Sequence, residues 1–151
     1  MYKIFITVGT TEFDSLIKAV DTLFVNQSEY VFTAQISSSA NYKPSNIDFF
    51  EFSSDIDRYV DEADFIITHA GAGSVYSMLE KGKKVIVVPN LSRIDHHQIE
   101  LTNYVNKNNL AIACNKLDEL PSLIELLKNK ELCSYQKEDF FGVEIIRNLL
   151  I

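Results

Sequence analysis

Three short runs constrain this chain more than anything else in it: "YKIFITV" (2–8), "DFIIT" (64–68) and "KVIVVP" (84–89). Each is dominated by β-branched and aromatic residues, and each is too short to be a buried helix. A strand with one face in water alternates apolar and polar residues, whereas a strand covered on both faces is apolar nearly throughout. Such runs belong in the middle of a parallel sheet with helices on either side, because parallel strands need long crossovers to connect them.

The intervening segments supply those crossovers. "DSLIKAVDTLF" (14–24) puts Leu16, Ile17, Val20 and Phe24 on one helical face, with Asp14 or Ser15 as the expected N-cap. "EYVFTAQI" (29–36) and "IDFFEF" (47–52) read as strands separated by the polar loop "SSSANYKP" (37–44). "SSDIDRYVDEA" (53–63) opens with capping residues and reads as a short helix. "GSVYSMLEKGK" (73–83) reads as a helix closed by Gly82 in the left-handed conformation. "HHQIELTNYVNKNN" (96–109), the strand "LAIAC" (110–114) and "LDELPSLIELLKN" (117–129), with Pro121 in its first turn, complete the alternation. The tail "DFFGVEIIRNLLI" (139–151) is amphipathic and predicts a further helix. The fold class expected is α/β: a single domain, residues 1–151, with about six parallel strands, helices on both faces and a helical tail from about residue 139.

Charge and cysteine usage narrow the function classes. The formal net charge is −7, whereas a free nucleic-acid binder is usually basic, so no nucleic-acid partner is expected. The two cysteines, Cys114 and Cys133, have no metal spacing and suit a reducing cytoplasm. Met1-Tyr2-Lys3 leads straight into a strand-like run without the apolar core or cleavage site of a signal peptide. No apolar run approaches the ~20 residues of a membrane span.

In an open parallel sheet, ligands bind beyond the carboxyl ends of the strands, where the strand order switches. That directs attention to three loops: Gly9-Thr10-Thr11, His69 to Ser74 and Asn90 to Gln98. All three histidines and three of the five glycines lie in them. In "THAGAGSVYS" (68–77), Gly71 and Gly73 allow close approach of the backbone and positive φ, and Ser74 begins a helix whose first N–H groups form an anion site. His69 stands at the strand end, where it can donate to the same anion, such as a nucleotide diphosphate. The same residues also suit an ordinary strand–turn–helix corner with a hydrogen-bonded histidine. The spacing is neither a Walker loop nor a good dinucleotide fingerprint. "NLSRIDHHQ" (90–98) gathers Asp95, His96, His97 and Gln98, which suit either sugar hydroxyls or helix capping. Zinc at His96-His97 is disfavoured, since adjacent helical side chains point apart and no further ligand stands at a suitable spacing. "DID" (55–57) has the D-x-D spelling of metal-dependent glycosyltransferases, but it opens a short helix, where acidic residues suit the dipole.

The stretch "ADFIITHAGAGSVYSMLEKGKKVIVVPN…DHHQIELTNYV" resembles the C-terminal domain of family 28 glycosyltransferases. "FITVGTTEFDSLI" (5–17) is similar to the start of the small catalytic subunit of the dolichol-linked UDP-GlcNAc transferase, and bacterial capsule and exopolysaccharide glycosyltransferase subunits are similar too. The likeness runs from about residue 2 to residue 114. It implies one Rossmann-like half of a GT-B enzyme, the half that holds a UDP-sugar. It further implies catalytic roles for His69 and Thr10, and donor binding by Gly9, Thr11, Gly71, Ala72, Gly73, Ser74, Ser77, Asp95, His97 and Gln98. Ser77 departs from the family, which commonly has a ribose-binding glutamate there; either Ser77 makes a weaker contact or a nearby group such as Glu80 substitutes.

By the same resemblance, the chain is a metal-independent, inverting hexosyltransferase with no cofactor beyond its UDP-sugar. It works in polysaccharide or glycolipid biosynthesis, including capsule and exopolysaccharide. A membrane-anchored partner subunit and a lipid-linked acceptor are implied, and so is a peripheral place at the inner face of the membrane. The alternative is a non-catalytic binding or stabilising subunit. The apolar tail adds an expectation of homo-oligomers when the chain is isolated.

Overall fold

The computed structural model describes residues 1–92 and 96–136. Six parallel strands form one sheet in the order β3-β2-β1-β4-β5-β6. They are β1 (Tyr2–Thr7), β2 (Tyr30–Gln35), β3 (Asp48–Phe50), β4 (Phe65–His69), β5 (Lys84–Val88) and β6 (Ile112–Ala113). The helices are α1 (Asp14–Leu23), α2 (Ile56–Glu62), α3 (Ala72–Glu80), α4 (His96–Lys107) and α5 (Leu120–Asn129). Strand order reverses direction between β1 and β4, which are hydrogen-bonded neighbours with Thr7 opposite Thr68.

Two cores follow from the strand pleat. Ile4, Ile6, Phe32, Ala34, Ile67 and Ile86 face α1 and α5, meeting Leu16, Ile17, Val20, Leu120, Ile124 and Leu127. Phe5, Ile66, Val85 and Val87 face the other way, against Val60 of α2, Val75, Met78 and Leu79 of α3, and Val105 of α4. Each fully buried aliphatic side chain contributes roughly 1.5–3 kcal/mol, which is why the uninterrupted apolar runs sit in β1, β4 and β5. β2 departs from the expected pattern. It alternates, with Tyr30, Phe32 and Ala34 buried and Val31 exposed. The chain passes from β2 to β3 without a helix, so β2 has no crossover helix to cover its second face.

Local signals explain two of the helix ends. Gly82 has φ +72°, its N–H donates to the Leu79 carbonyl, and the Lys83 N–H reaches Met78; the left-handed end expected for α3 is present. Pro121 lies in the first turn of α5, as expected. The expected N-cap of α1 needs correction: Phe13 is the cap, without a side-chain hydrogen bond. Asp14 is already helical, and its carboxylate instead accepts the Asn41 N–H. β6 shrinks from the expected five residues to two. The tail from about 139 lies outside the described residues.

Candidate functional site

The carboxyl edge of the sheet is where the polar interior of this molecule concentrates. Six polar residues are buried among those described, and four of them, Thr7, Ser37, Thr68 and Asn90, end or follow β1, β2, β4 and β5. Buried polar groups are costly unless bonded, so this edge is held by specific hydrogen bonds. Asn90 is 7% exposed; its N–H donates to Gln98 Oε1 at 2.9 Å, its Nδ2 reaches the Glu12 carbonyl, and its Oδ1 accepts from Ser92. These bonds close the Asn90–Gln98 segment on itself and tie it to the loop after β1 at Glu12.

A cleft of about 350 Å³ opens at this edge, beside the switch point between β1 and β4. The loop after β1 contributes Val8, Thr11 and Phe13; the β4–α3 corner contributes His69, Ala70, Gly71 and Ala72. Asn90, His97, Gln98 and Leu101 close it from the side of β5 and α4. The expected residues His69, Gly71, Ala72, Thr11, His97 and Gln98 therefore meet in one place. Thr10 and Gly9 are not part of the cleft lining; Thr10 is exposed, and its carbonyl accepts from the Ser37 hydroxyl at 3.1 Å. Gly73 and Ser74 lie in the first turn of α3 outside the lining, and Ser77 and Glu80 are exposed further along that helix. Asp95 lies outside the described residues. Asp55 and Asp57 stand away from the cleft, and Asp57 is paired with Lys81 at 3.2 Å.

The β4–α3 corner corrects two expectations. The helix starts at Ala72, not Ser74: Gly71 is the cap, and the first helical bond runs from the Val75 N–H to the Gly71 carbonyl at 2.9 Å. The N–H groups of Ala72, Gly73 and Ser74 consequently lie in the turn that has no preceding carbonyls to accept them. Nor does positive φ explain Gly71 and Gly73. Gly71 has φ −86°, and Gly73 is helical, with open space where a Cβ would stand.

The reason for Gly71 is the His69 ring. A Cβ at Gly71 would overlap Nε2 and stand 3.1 Å from Cε1. A Cβ at Gly9 would lie 2.8 Å from Cε1 and 3.0 Å from Nε2. Gly9 has φ +69°, which an L side chain rarely adopts. Two glycines sixty residues apart in sequence thus bare their backbones to one imidazole edge. Nδ1 of that ring stands 3.5 Å from the Thr68 hydroxyl. His97 is exposed, with Nδ1 3.7 Å from the Glu100 carboxylate. The sequence did not point to Val8, Phe13, Asn90 or Leu101; the only signal for Asn90 was its place directly after Pro89 at a strand end.

Comparison with known proteins bears on the family and the fold. The model of the glycosyltransferase family 28 C-terminal domain matches residues 3–144. UDP-N-acetylglucosamine transferase subunit ALG13 of Mus musculus is 33% identical over 139 residues, covering 84% of this chain and 12% of the relative. The Homo sapiens ALG13 subunit is 36% identical over 125 residues, covering 76% of this chain and 11% of its own length. The chain therefore spans about an eighth of these mammalian relatives. They give no support to a capsule or exopolysaccharide role, and that expectation is dropped. Among solved structures, MurG of Acinetobacter baumannii superposes with a TM-score of 0.69 at 20% identity, covering 85% of this chain and 41% of that one. The solution structure of ALG13 superposes at 0.64 and 20% identity, covering 90% of each chain. Those two likenesses bear on the fold alone. With residues 3–144 matched and the Rossmann-like sheet in place, the chain belongs to the glycosyltransferase family 28 C-terminal domain family.

Proposed function

We propose that this chain is the donor-binding subunit of a glycosyltransferase, taking UDP-N-acetylglucosamine or a close UDP-sugar at the β1–β4 cleft. The observation that carries the reading is the His69 imidazole, seated between two glycines beside the first turn of α3. Family membership and the ALG13 relatives support the choice of nucleotide sugar. In this reading the Ala72, Gly73 and Ser74 N–H groups and the imidazole face the diphosphate. Negative charge grows on the β-phosphate as the glycosidic bond breaks. Donors fixed beforehand stabilise that charge more in the transition state than in the ground state, which is what accelerates the step. His97 and Gln98, with Asp95, address the sugar, and Thr11 closes the near wall; Gly9 and Thr10 belong to the same loop. Transfer through N–H donors requires no metal and no further cofactor, and inversion at the anomeric carbon follows from a single displacement.

A GT-B active site lies between two halves, and this domain corresponds to one. The acceptor half and the lipid-linked acceptor are then supplied by a membrane-anchored partner subunit, with the chain peripheral to the cytoplasmic face. Among the described residues, no helix is long and apolar enough to cross a membrane. Calorimetric titration with UDP, UDP-N-acetylglucosamine and ADP tests the donor site: uridine nucleotides should bind and ADP should bind more weakly. Absence of UDP binding at millimolar concentration would defeat the reading. A second reading, a donor-binding subunit without transfer activity, draws on Ser77, which stands where the family commonly has glutamate. Transfer assays with and without the partner separate the two.

A further inference from the structure

The sheet holds the His69 seat from a strand that does not touch the cleft. Gln35 is the last residue of β2, opposite Thr7 of β1 in the parallel register, and is not part of the cleft lining. Its Oε1 accepts a hydrogen bond from the Thr7 hydroxyl, and its Nε2 donates to the Gly9 carbonyl at 3.2 Å. The Thr7 oxygen in turn faces the Gly9 N–H at 3.4 Å. The circuit engages both peptide groups of Gly9, the residue whose φ of +69° bares its backbone to the His69 ring. Thr7 is 5% exposed, so its hydroxyl has little access to water as a substitute partner. Two residues beyond Gln35, buried Ser37 donates to the Thr10 carbonyl and so holds the same loop. No other side chain among the described residues donates to the Gly9 carbonyl.

We infer that Gln35, through Thr7 and Gly9, is a positioning residue for the His69 imidazole and so sets the affinity of the diphosphate corner. The inference rests on the proposed donor site. Removing the amide frees the Gly9 peptide to rotate, and the wall that confines the imidazole edge moves with it. A ring that wanders loses its fixed hydrogen-bond direction, and that cost appears in binding.

The test uses the full chain. Gln35→Leu should weaken UDP about tenfold in calorimetry on the folded chain, beyond a lowered thermal midpoint from the Thr7 hydroxyl that loses its partner. In the ligand-free protein, the His69 ring resonances should shift and broaden, and those of His96 and His97 should stay in place. In a His69→Ala background, adding Gln35→Leu should cost less than about twofold further, since the pathway through the ring is already lost. Thr7→Val should reproduce the effect on the ring, and Thr7→Ser, which keeps the hydroxyl, should restore it; this pair serves if Gln35→Leu does not fold. Unmoved His69 resonances in Gln35→Leu, or a full tenfold loss surviving in the His69→Ala background, would overturn the inference. If the unchanged chain binds no UDP, the donor-site reading falls, and the ring resonances still decide whether Gln35 positions His69.

Discussion

Two hollows of similar size lie at opposite edges of this sheet, and only one of them is the proposed donor site. The cleft at the carboxyl edge measures about 350 Å³, and the hollow at the amino ends of β2 and β3 measures about 320 Å³. In the second, the polar groups are consumed by the protein itself. Asp21, 1% exposed, accepts from the Tyr42 hydroxyl at 2.6 Å and from the N–H groups of Ser45 and Asn46 at 3.0 and 2.7 Å. The first is lined instead by the start of α3 and by the His69 imidazole seated between two glycines. Volume does not tell a binding site from a structural knot; the state of the polar groups around it does.

The sharpest way to break this contrast is to remove the knot. Asp21→Ala strands the donors gathered around it and leaves a hole where a charge was satisfied, so about 3–4 kcal/mol of stability should be lost. Urea denaturation measures it. The fraction that remains folded should bind UDP unchanged, because Asp21 belongs to the other edge. The same carboxylate is an acid trigger. Burial alone would raise its pKa, but the bonds from Tyr42, Ser45, Asn46 and Ile47 outweigh that and hold it below its ordinary value. Its contribution is present above the unfolded value of ~3.9 and is lost as pH falls through the lower folded value.

The converse change acts on the cleft. His69→Ala should cost roughly 1.5–3 kcal/mol of UDP affinity, the range of a charge-assisted hydrogen bond, with little change in stability. Gly71→Ala should cost a similar amount, because its Cβ overlaps the ring and the ring must move. Gly73→Ala, with open space at its Cβ, should leave the ring undisturbed. Calorimetry on the three variants ranks them; equal losses at Gly71 and Gly73 would show that the His69 seat is not what matters.

An alkaline limit belongs to the amino edge. Tyr30 opens β2, 7% exposed, with its hydroxyl on Glu125 and Lys128 Nζ 4.7 Å from its ring centre. Burial, followed by the Glu125 bond, pushes its pKa up to about 12. A raised folded value gives stability that is full below the unfolded ~10 and lost as pH climbs from there through about 12, by about 1–2 kcal/mol. Tyr30→Phe should flatten that part of the stability curve, and a curve as steep as before would assign the loss to other groups.

How much of this was readable beforehand depends on how far apart the cooperating residues lie in sequence. β1, β4 and β5 were legible because burial on both faces writes itself as an apolar run, and α3 and α5 were bounded by Gly82 and Pro121, each acting on its own neighbours. His69 was legible as the polar residue that ends such a run. The start of α3 was not, because Gly71 caps it without a side-chain bond and leaves no capping signal. That Gly9 and Gly71 serve one ring could not be read either, since it depends on β1 pairing with β4. The roles of Gln35 and Asn90 could not be read for the same reason: their partners Gly9 and Glu12 lie on the loop after β1, and Gln98 lies in α4.

The smallest expected effect concerns the outer side of α3, where the cleft gives way to open surface. Ser77 is exposed one turn beyond Gly73, and Glu80 follows three residues later on the same side. In the proposed donor pose the ribose lies along this side, because the diphosphate sits at the helix start. A serine there offers one short hydroxyl, whereas a glutamate offers two acceptors to the two ribose hydroxyls. Against that gain stand repulsion from Glu80 and from the diphosphate, and the entropy of fixing a longer side chain. The balance for Ser77→Glu should be a gain of about threefold in UDP affinity, well under the value of a buried charged bond. The control is 2′-deoxy-UDP, which lacks one of the two hydroxyls: for it, the variant and the unchanged chain should bind alike. A gain of equal size for both nucleotides would place the new carboxylate's effect elsewhere than the ribose. A loss of affinity in the folded variant would mean that the ribose does not run along α3, and the correspondence of Ser77 with the family's glutamate would not hold.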